Sequence, residues 1–306
     1  MAQTFPRRRP IRRIILFRRS SAQRTDRVER SRYVEPDPEI IEVGKRKVTI
    51  RQAGAGPGLP LVLLHGIGSN SSAWAGQFAE LASERRVVAW NAPGYVGSTP
   101  LPMAAPTAAD YGAALHGLLD VLAIERALLV GQSLGAIMAT AAALQGPDRF
   151  AGLVLASPAS GYAVRPDDVL PPRVAERIAE VERFGPLGLA DRRAHRLVTE
   201  NAAPEARALI HRVMSEVTIE GYTQASRMLA HADLGEMVSR LAVPTLVLWG
   251  ESDVITPPAG CAAIAAAAPR AASRAFPDLG HGFATEAPAL FNQALTTFLA
   301  QIERQG

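Results

Sequence analysis

Cysteine is nearly absent: of 306 residues only Cys261 is one, so no disulfide can form within the chain, and cysteine usage gives no argument for an oxidising compartment. Cys261 lies in an alanine-rich stretch and reads as a small core residue rather than a nucleophile. No His, Cys, Asp and Glu cluster has metal-ligand spacing and no internal repeat is found, so no metal or other cofactor is expected. Evenly spread charge is missing too. Residues 1–32 hold 11 arginines against Asp26 and Glu29, a net of +9, so the overall +4 leaves −5 on residues 33–306. The pI near 9.6 thus belongs to the first stretch and implies no basic face elsewhere, and no specific nucleic-acid partner is expected. The apolar run of that stretch, Ile14-Ile15-Leu16-Phe17, is too short for a signal core or a membrane span. Arg12-Arg13 before it resembles a twin-arginine signal, but Arg18-Arg19 interrupt it and no small-residue cleavage site follows. Residues 1–32 read as a basic disordered arm without a catalytic role, and the protein as cytoplasmic.

Apolar residues make up 48% of the chain, ample for a parallel sheet buried under helices. Residues 40–43 and 47–51 read as an opening hairpin around Gly44, and residues 61–64 as the next strand. A helix is expected over residues 71–83, a strand over 86–90, and a helix over 107–123 with Thr107 as N-cap and Asp110 three residues on. Further strands are expected at 127–130, 152–156, 243–249 and 271–276, with a last helix over 288–302. This alternation argues for an α/β fold with a parallel sheet. It stops between residues 157 and 241, where only helical patterns occur, at 174–184, 191–199, 204–217 and 219–230. Residues 33–156 and 242–306 therefore read as one core, and residues 157–241 as a helical insertion.

The pentapeptide Gly131-Gln132-Ser133-Leu134-Gly135 joins an apolar strand pattern to the alanine-rich residues 136–144. A serine at the apex of such a turn is strained, because the chain reverses from strand to helix within about two residues. Glycines two positions either side let strand and helix pass closely. The turn presents the Ser133 hydroxyl at the carboxyl end of the sheet and aims the Leu134 N–H at the same space. One turn thus supplies a nucleophile and half an oxyanion hole.

Asp253 follows the strand at 243–249, in a loop where an acid can orient an imidazole. The glycine-flanked loop Pro277-Asp278-Leu279-Gly280-His281-Gly282-Phe283 can carry His281 over the sheet edge. Ser133, Asp253, His281 is the chain order of an α/β-hydrolase triad. Asp278, on the histidine's own loop, and Glu251, on the opposite side of an extended strand end, are rival acids. His65 reads as a hydrogen-bonding residue of its turn, His116 falls on a helix, and His195, His211 and His231 read as surface or packing residues.

At these residues the chain resembles the α/β-hydrolase superfamily over residues 40–303. Four motifs match in order: His65-Gly66-Ile67-Gly68, the stretch Asn91-Ala92-Pro93-Gly94-Tyr95-Val96-Gly97-Ser98, the serine turn, and the acid and histidine loops. The resemblance implies a mostly parallel eight-stranded sheet with residues 157–241 as a cap over the nucleophile. It implies a second oxyanion N–H from Ile67, and Ser69, Asn70, Trp74 and Tyr162 as pocket residues, Trp74 fitting a core position more readily. Asn91 stands where the family usually has Asp, Gln132 where relatives often have His, and Ala136 where carbon–carbon bond hydrolases usually have a further glycine. The activity implied is cofactor-free hydrolysis of a small carboxylic ester or lactone. A carbon–carbon bond hydrolase acting on a vinylogous diketone, and a non-catalytic ligand-binding protein of the same fold, are the alternatives.

Overall fold

The computed structural model describes residues 33–165 and 168–304. The stretch read as a basic arm lies outside the described residues. Strands β1 (Pro38–Val43) and β2 (Arg46–Leu64) form the antiparallel opening hairpin. With β3 (Arg85–Trp90), β4 (Ala127–Gln132), β5 (Phe150–Ala156), β6 (Thr245–Gly250) and β7 (Ala271–Phe276) they build one sheet. Its order is β1, β2, β4, β5, β6, β7, with β3 paired to β2, and pairing from β2 through β4 to β7 is parallel.

The sheet has seven strands where eight were expected, and the difference lies in β2. The segments foreseen as two strands run on as one, which flanks β3 with both of its halves. Ile50 faces Trp90, Pro57 and Gly58 both face Arg85, and then the register climbs again until Leu63 faces Ala89. The chain can wrap the start of β3 because Gly54 has no side chain: a Cβ there would sit 2.1 Å from the Arg85 carbonyl oxygen.

Ten helices are described: α1 (Ala75–Leu81), α2 (Ala108–Val121), α3 (Leu134–Gln145), α4 (Pro172–Arg193), α5 (Pro204–Ser215), α6 (Ile219–His231), α7 (Leu234–Ser239), α8 (Pro258–Ala267), α9 (Phe283–Glu286) and α10 (Pro288–Glu303). Period-two alternation along the strands sends side chains to both faces of the sheet. Val62, Leu64, Leu129 and Val247 join a core with Leu115, Leu118 and Ile137 from α2 and α3. Leu61, Leu63, Leu128 and Val130 join the opposite core with Phe78, Phe291 and Phe298 from α1 and α10. Each such side chain withdrawn from water contributes about 1.5–3 kcal/mol.

Local signals set several boundaries. Thr107 and Asp110 form a reciprocal capping box at the start of α2, as expected. The helix expected over 71–83 is split into a 3₁₀ turn (Ser71–Trp74) and α1. The helices expected at 174–184 and 191–199 are merged into α4 through a kink at Gly185, whose φ is +68°, followed by a 3₁₀ turn (Ala194–Leu197). Pro186 opens the second arm of α4, where its missing N–H is not needed. Helices α4 to α7 lie between β5 and β6, and α4 packs against α5 and α6.

Candidate active site

Ser133 follows β4 at φ +53°, ψ −116°, and Leu134 begins α3. A non-glycine residue held there costs about 1–3 kcal/mol and persists only where its surroundings over-determine it. They do so here: the Ser133 N–H donates to the Ala156 carbonyl at 2.9 Å, and its own carbonyl accepts from the N–H groups of Ala136 (3.1 Å) and Ala159 (3.2 Å). The flanking glycines are obligatory. A Cβ on Gly131 would lie 2.3 Å from the Gly135 oxygen, and one on Gly135 would lie 2.3 Å from the Leu64 oxygen.

Asp253, in the loop after β6, is 3% exposed. Its Oδ1 accepts the N–H groups of Ile255 (2.8 Å) and Thr256 (2.9 Å), and its Oδ2 accepts His281 Nδ1–H at 2.8 Å. Burial pushes this carboxyl up, but the hydrogen bond and charge of His281, with the Thr256 bonds, outweigh it and hold the pKa below the ordinary value. The Thr256 hydroxyl lies 2.8 Å from Asp253 Oδ2 and 3.1 Å from His281 Nδ1. With Nδ1 turned to the carboxylate, Nε2 is the His281 nitrogen left for proton exchange. The rival acids stand apart: Asp278 and Glu251 are both exposed.

Ser133 and His281 line one cavity of about 310 Å³, together with Ile67 and Leu134. Of the expected pocket residues, Ser69 and Tyr162 line it as well. Asn70 and Trp74 do not. Asn70 is buried in structural hydrogen bonds, accepting from the Ser72 N–H and donating to the Val213 carbonyl and Glu216. Trp74 is 1% exposed and packs in the core beside Phe291, at the core position its sequence context favoured.

His65 braces the Ile67 turn. Its Nε2 accepts the Ala92 N–H at 3.0 Å, so the proton sits on Nδ1, 2.8 Å from the Gly66 carbonyl. That carbonyl shares a peptide plane with the Ile67 N–H, so the bond orients the donor. Tyr95 donates to the Ile67 carbonyl at 2.7 Å. Full burial keeps His65 neutral, with its pKa lowered to about 4. His116 and His231 bond to the carbonyls of Ala142 and Val164, and His211 pairs with Asp191, so among the described histidines only His281 lines the cavity.

Sequence reasoning missed three contacts. Gln132, noted only as a departure, donates to the His281 carbonyl at 3.1 Å and ties the serine turn to the histidine loop. Thr256 and Glu286 were not singled out: Thr256 bonds Asp253 three residues back and reaches His281 across the fold, and Glu286 reaches Thr199 across the fold. Cys261 is buried as expected, its thiol pushed up to about 12 chiefly by burial. No group of three or more potential metal ligands, and no helix long and apolar enough to cross a membrane, occurs among the described residues.

A model of the alpha/beta hydrolase fold matches residues 60–288. A thermophilic esterase from Thermogutta terrifontis, solved with malate bound, is 30% identical and superposes with a TM-score of 0.74, covering 88% of this chain and 98% of that one. The dihydrolipoyllysine-residue acetyltransferase component of an acetoin cleaving system from Pseudomonas putida is 30% identical over 277 residues, 86% of this chain and 70% of that protein. A 2-hydroxy-6-oxononadienedioate/2-hydroxy-6-oxononatrienedioate hydrolase from the same species is 27% identical over 250 residues, 78% of this chain and 87% of that protein. Motif order, sheet topology and these similarities agree, and the chain belongs to the α/β-hydrolase fold family.

Proposed function

We propose that the protein is a serine hydrolase that cleaves a small carboxylic ester or lactone through an acyl-enzyme on Ser133. The observation that carries this reading is the 2.8 Å bond from His281 to buried Asp253, in a loop that shares its cavity with the strained Ser133. A serine hydroxyl is a weak nucleophile near neutral pH. His281 Nε2 takes the Oγ proton as Oγ bonds the carbonyl carbon, and Asp253 stabilises the resulting imidazolium. The N–H groups of Ile67 and Leu134 hold the tetrahedral oxyanion, each such donor lowering the barrier by about 3–4 kcal/mol. His281 then protonates the leaving alkoxide as the C–O bond breaks, and water releases the acyl group by the reverse steps. Residues 157–241 act as the cap: side chains from α4, α5 and α6 wall the cavity above Ser133 and limit both water and substrate size.

The Thermogutta esterase supports cleavage of an ester. The oxo-dienedioate hydrolase supports a second reading, carbon–carbon bond cleavage in a vinylogous diketone, which the same three side chains can serve. Purified enzyme and Ser133→Ala, assayed against 4-nitrophenyl esters, lactones and ring-fission diketones, separate these readings. Ester or lactone turnover that falls about 10⁴-fold in Ser133→Ala is the expected result. Diketone turnover without ester turnover establishes the second reading. Binding without turnover of any of them establishes a ligand-binding protein instead.

A further inference from the structure

The wall of the cavity opposite in sign to the rest of the body is made of arginine. Residues 33–306 carry a net −5, yet Arg177, Arg193 and Arg196 line the cavity and, among the described residues, no Asp or Glu does. Arg193 is neutralised by its ion pair with Glu180. Arg196 is exposed and, among the described residues, has no carboxylate within ion-pair distance. Arg177 is the informative one. It projects from α4 beside the buried Val174, Ile178 and Val181, is itself half-buried, and among the described residues bonds only to a neutral group, the Tyr222 hydroxyl, at 3.5 Å. The same cavity is lined by apolar Ile210, Val213, Met214 and Leu229. A guanidinium held against such walls loses part of its hydration, and no described carboxylate replaces it.

We propose that Arg177 and Tyr222 form a carboxylate-binding subsite, and that the substrate carries a free acid at the end remote from its scissile carbonyl. The guanidinium fork matches a carboxylate with two parallel N–H donors. Tyr222, accepting from Arg177 through its oxygen, keeps its own O–H proton to donate to the same anion. Arg196 adds positive charge at the exposed rim and draws an anion inward. On the serine-hydrolase reading, on which the substrate class rests, the substrate is a half-ester of a dicarboxylic acid or a lactone bearing a free acid.

The test compares 4-nitrophenyl hydrogen adipate with its methyl-capped counterpart. The native enzyme prefers the free acid by tenfold or more in kcat/KM, through KM. Arg177→Met lowers that ratio at least fivefold, and Arg177→Lys, a point charge without the fork, keeps part of it. Arg173→Met, the same charge change at an exposed position of α4 outside the cavity, leaves the ratio intact. No preference in the native enzyme, or a preference that Arg177→Met leaves unchanged, overturns the subsite. If no ester is turned over, the hydrolase reading fails separately, and calorimetric titration with adipate and with dimethyl adipate decides the subsite alone. Adipate binding that weakens tenfold in Arg177→Met supports it; equal binding, or none to the native protein, overturns it. Should Arg177→Met misfold, Arg177→Lys and Tyr222→Phe, each read by the same ratio, take its place.

Discussion

Glu286 joins Thr199 to the histidine loop. One carboxylate oxygen accepts both the Thr199 N–H, at 3.1 Å, and the Thr199 hydroxyl, while the other accepts the Gly280 N–H at 3.0 Å. Two residues on, the Gly282 N–H donates to the Leu197 carbonyl at 2.6 Å. The amides on both sides of His281 are thus held by the segment between α4 and α5 or by a carboxylate anchored to it.

Glu286→Gln replaces one accepting oxygen with a donor, so either the Thr199 or the Gly280 bond is lost. The expected cost is about 1–3 kcal/mol of stability. A fall of about tenfold in kcat with little change in KM should accompany it, because the group acts through the position of His281. Labelling of Ser133 by a fluorophosphonate should slow in parallel. Normal labelling with reduced stability would leave Glu286 as a structural residue only.

The identity of the acid is open to direct comparison. Asp253→Asn should lower kcat by about 10³–10⁴-fold with folding retained, since the amide favours the wrong imidazole tautomer. Asp278 is exposed at φ +58°, a conformation asparagine tolerates, so Asp278→Asn should leave kcat within twofold. Reversal of this order in steady-state assays would transfer the role to position 278.

His65 makes stability depend on pH. Its folded pKa, lowered to about 4, lies below the unfolded value of 6.5. Below pH 6.5 the unfolded chain therefore gains a proton that the folded state refuses. The His65 contribution is complete above pH 6.5 and is lost as pH falls toward 4, at about 1.4 kcal/mol per pH unit and about 3 kcal/mol in all. Urea unfolding at pH 7, 6 and 5 should show a steeper decline for the native protein than for His65→Gln. Parallel curves would mean that His65 takes up its proton in the fold.

Gly135→Ala should not be tolerated. The added Cβ meets the Leu64 carbonyl at 2.3 Å, and backbone on both sides prevents relaxation. A loss of about 3 kcal/mol or more is expected. Ala136→Gly, at a position already occupied by a buried small residue, should cost only about 1 kcal/mol, by helix propensity. Thermal melts of the two variants check this, and equal melting temperatures would refute the close-approach argument.

What could be read along the chain was what neighbouring residues decide among themselves. The Gly131 to Gly135 turn, the Thr107 capping box and the strand periods rest on contacts or patterns within a few residues, and the order Ser133, Asp253, His281 on the succession of such local motifs along the chain. The place of Asp253 after the strand at 243–249 favours it over Asp278, and the packing of the β6 loop against the histidine loop buries Asp253 beside the imidazole and leaves Asp278 in solvent.

Asn70 shows a limit: its nearness in sequence to the His65-Gly66 turn suggested a pocket, but it caps a 3₁₀ turn and is buried in structural hydrogen bonds, whereas Trp74 takes the core position its sequence context favoured. Gln132 to His281 spans 149 residues, and Thr199 to Glu286 spans 87. A hydrogen bond over such separations depends on how sheet, loops and inserted helices are stacked, and no spacing rule encodes it. The family, and the strained serine turn that marks it, are therefore legible in local sequence. The charge of the cavity wall, the bracing of the histidine and the shape of the pocket are decided by tertiary structure, because each is made by side chains whose only proximity is through the fold.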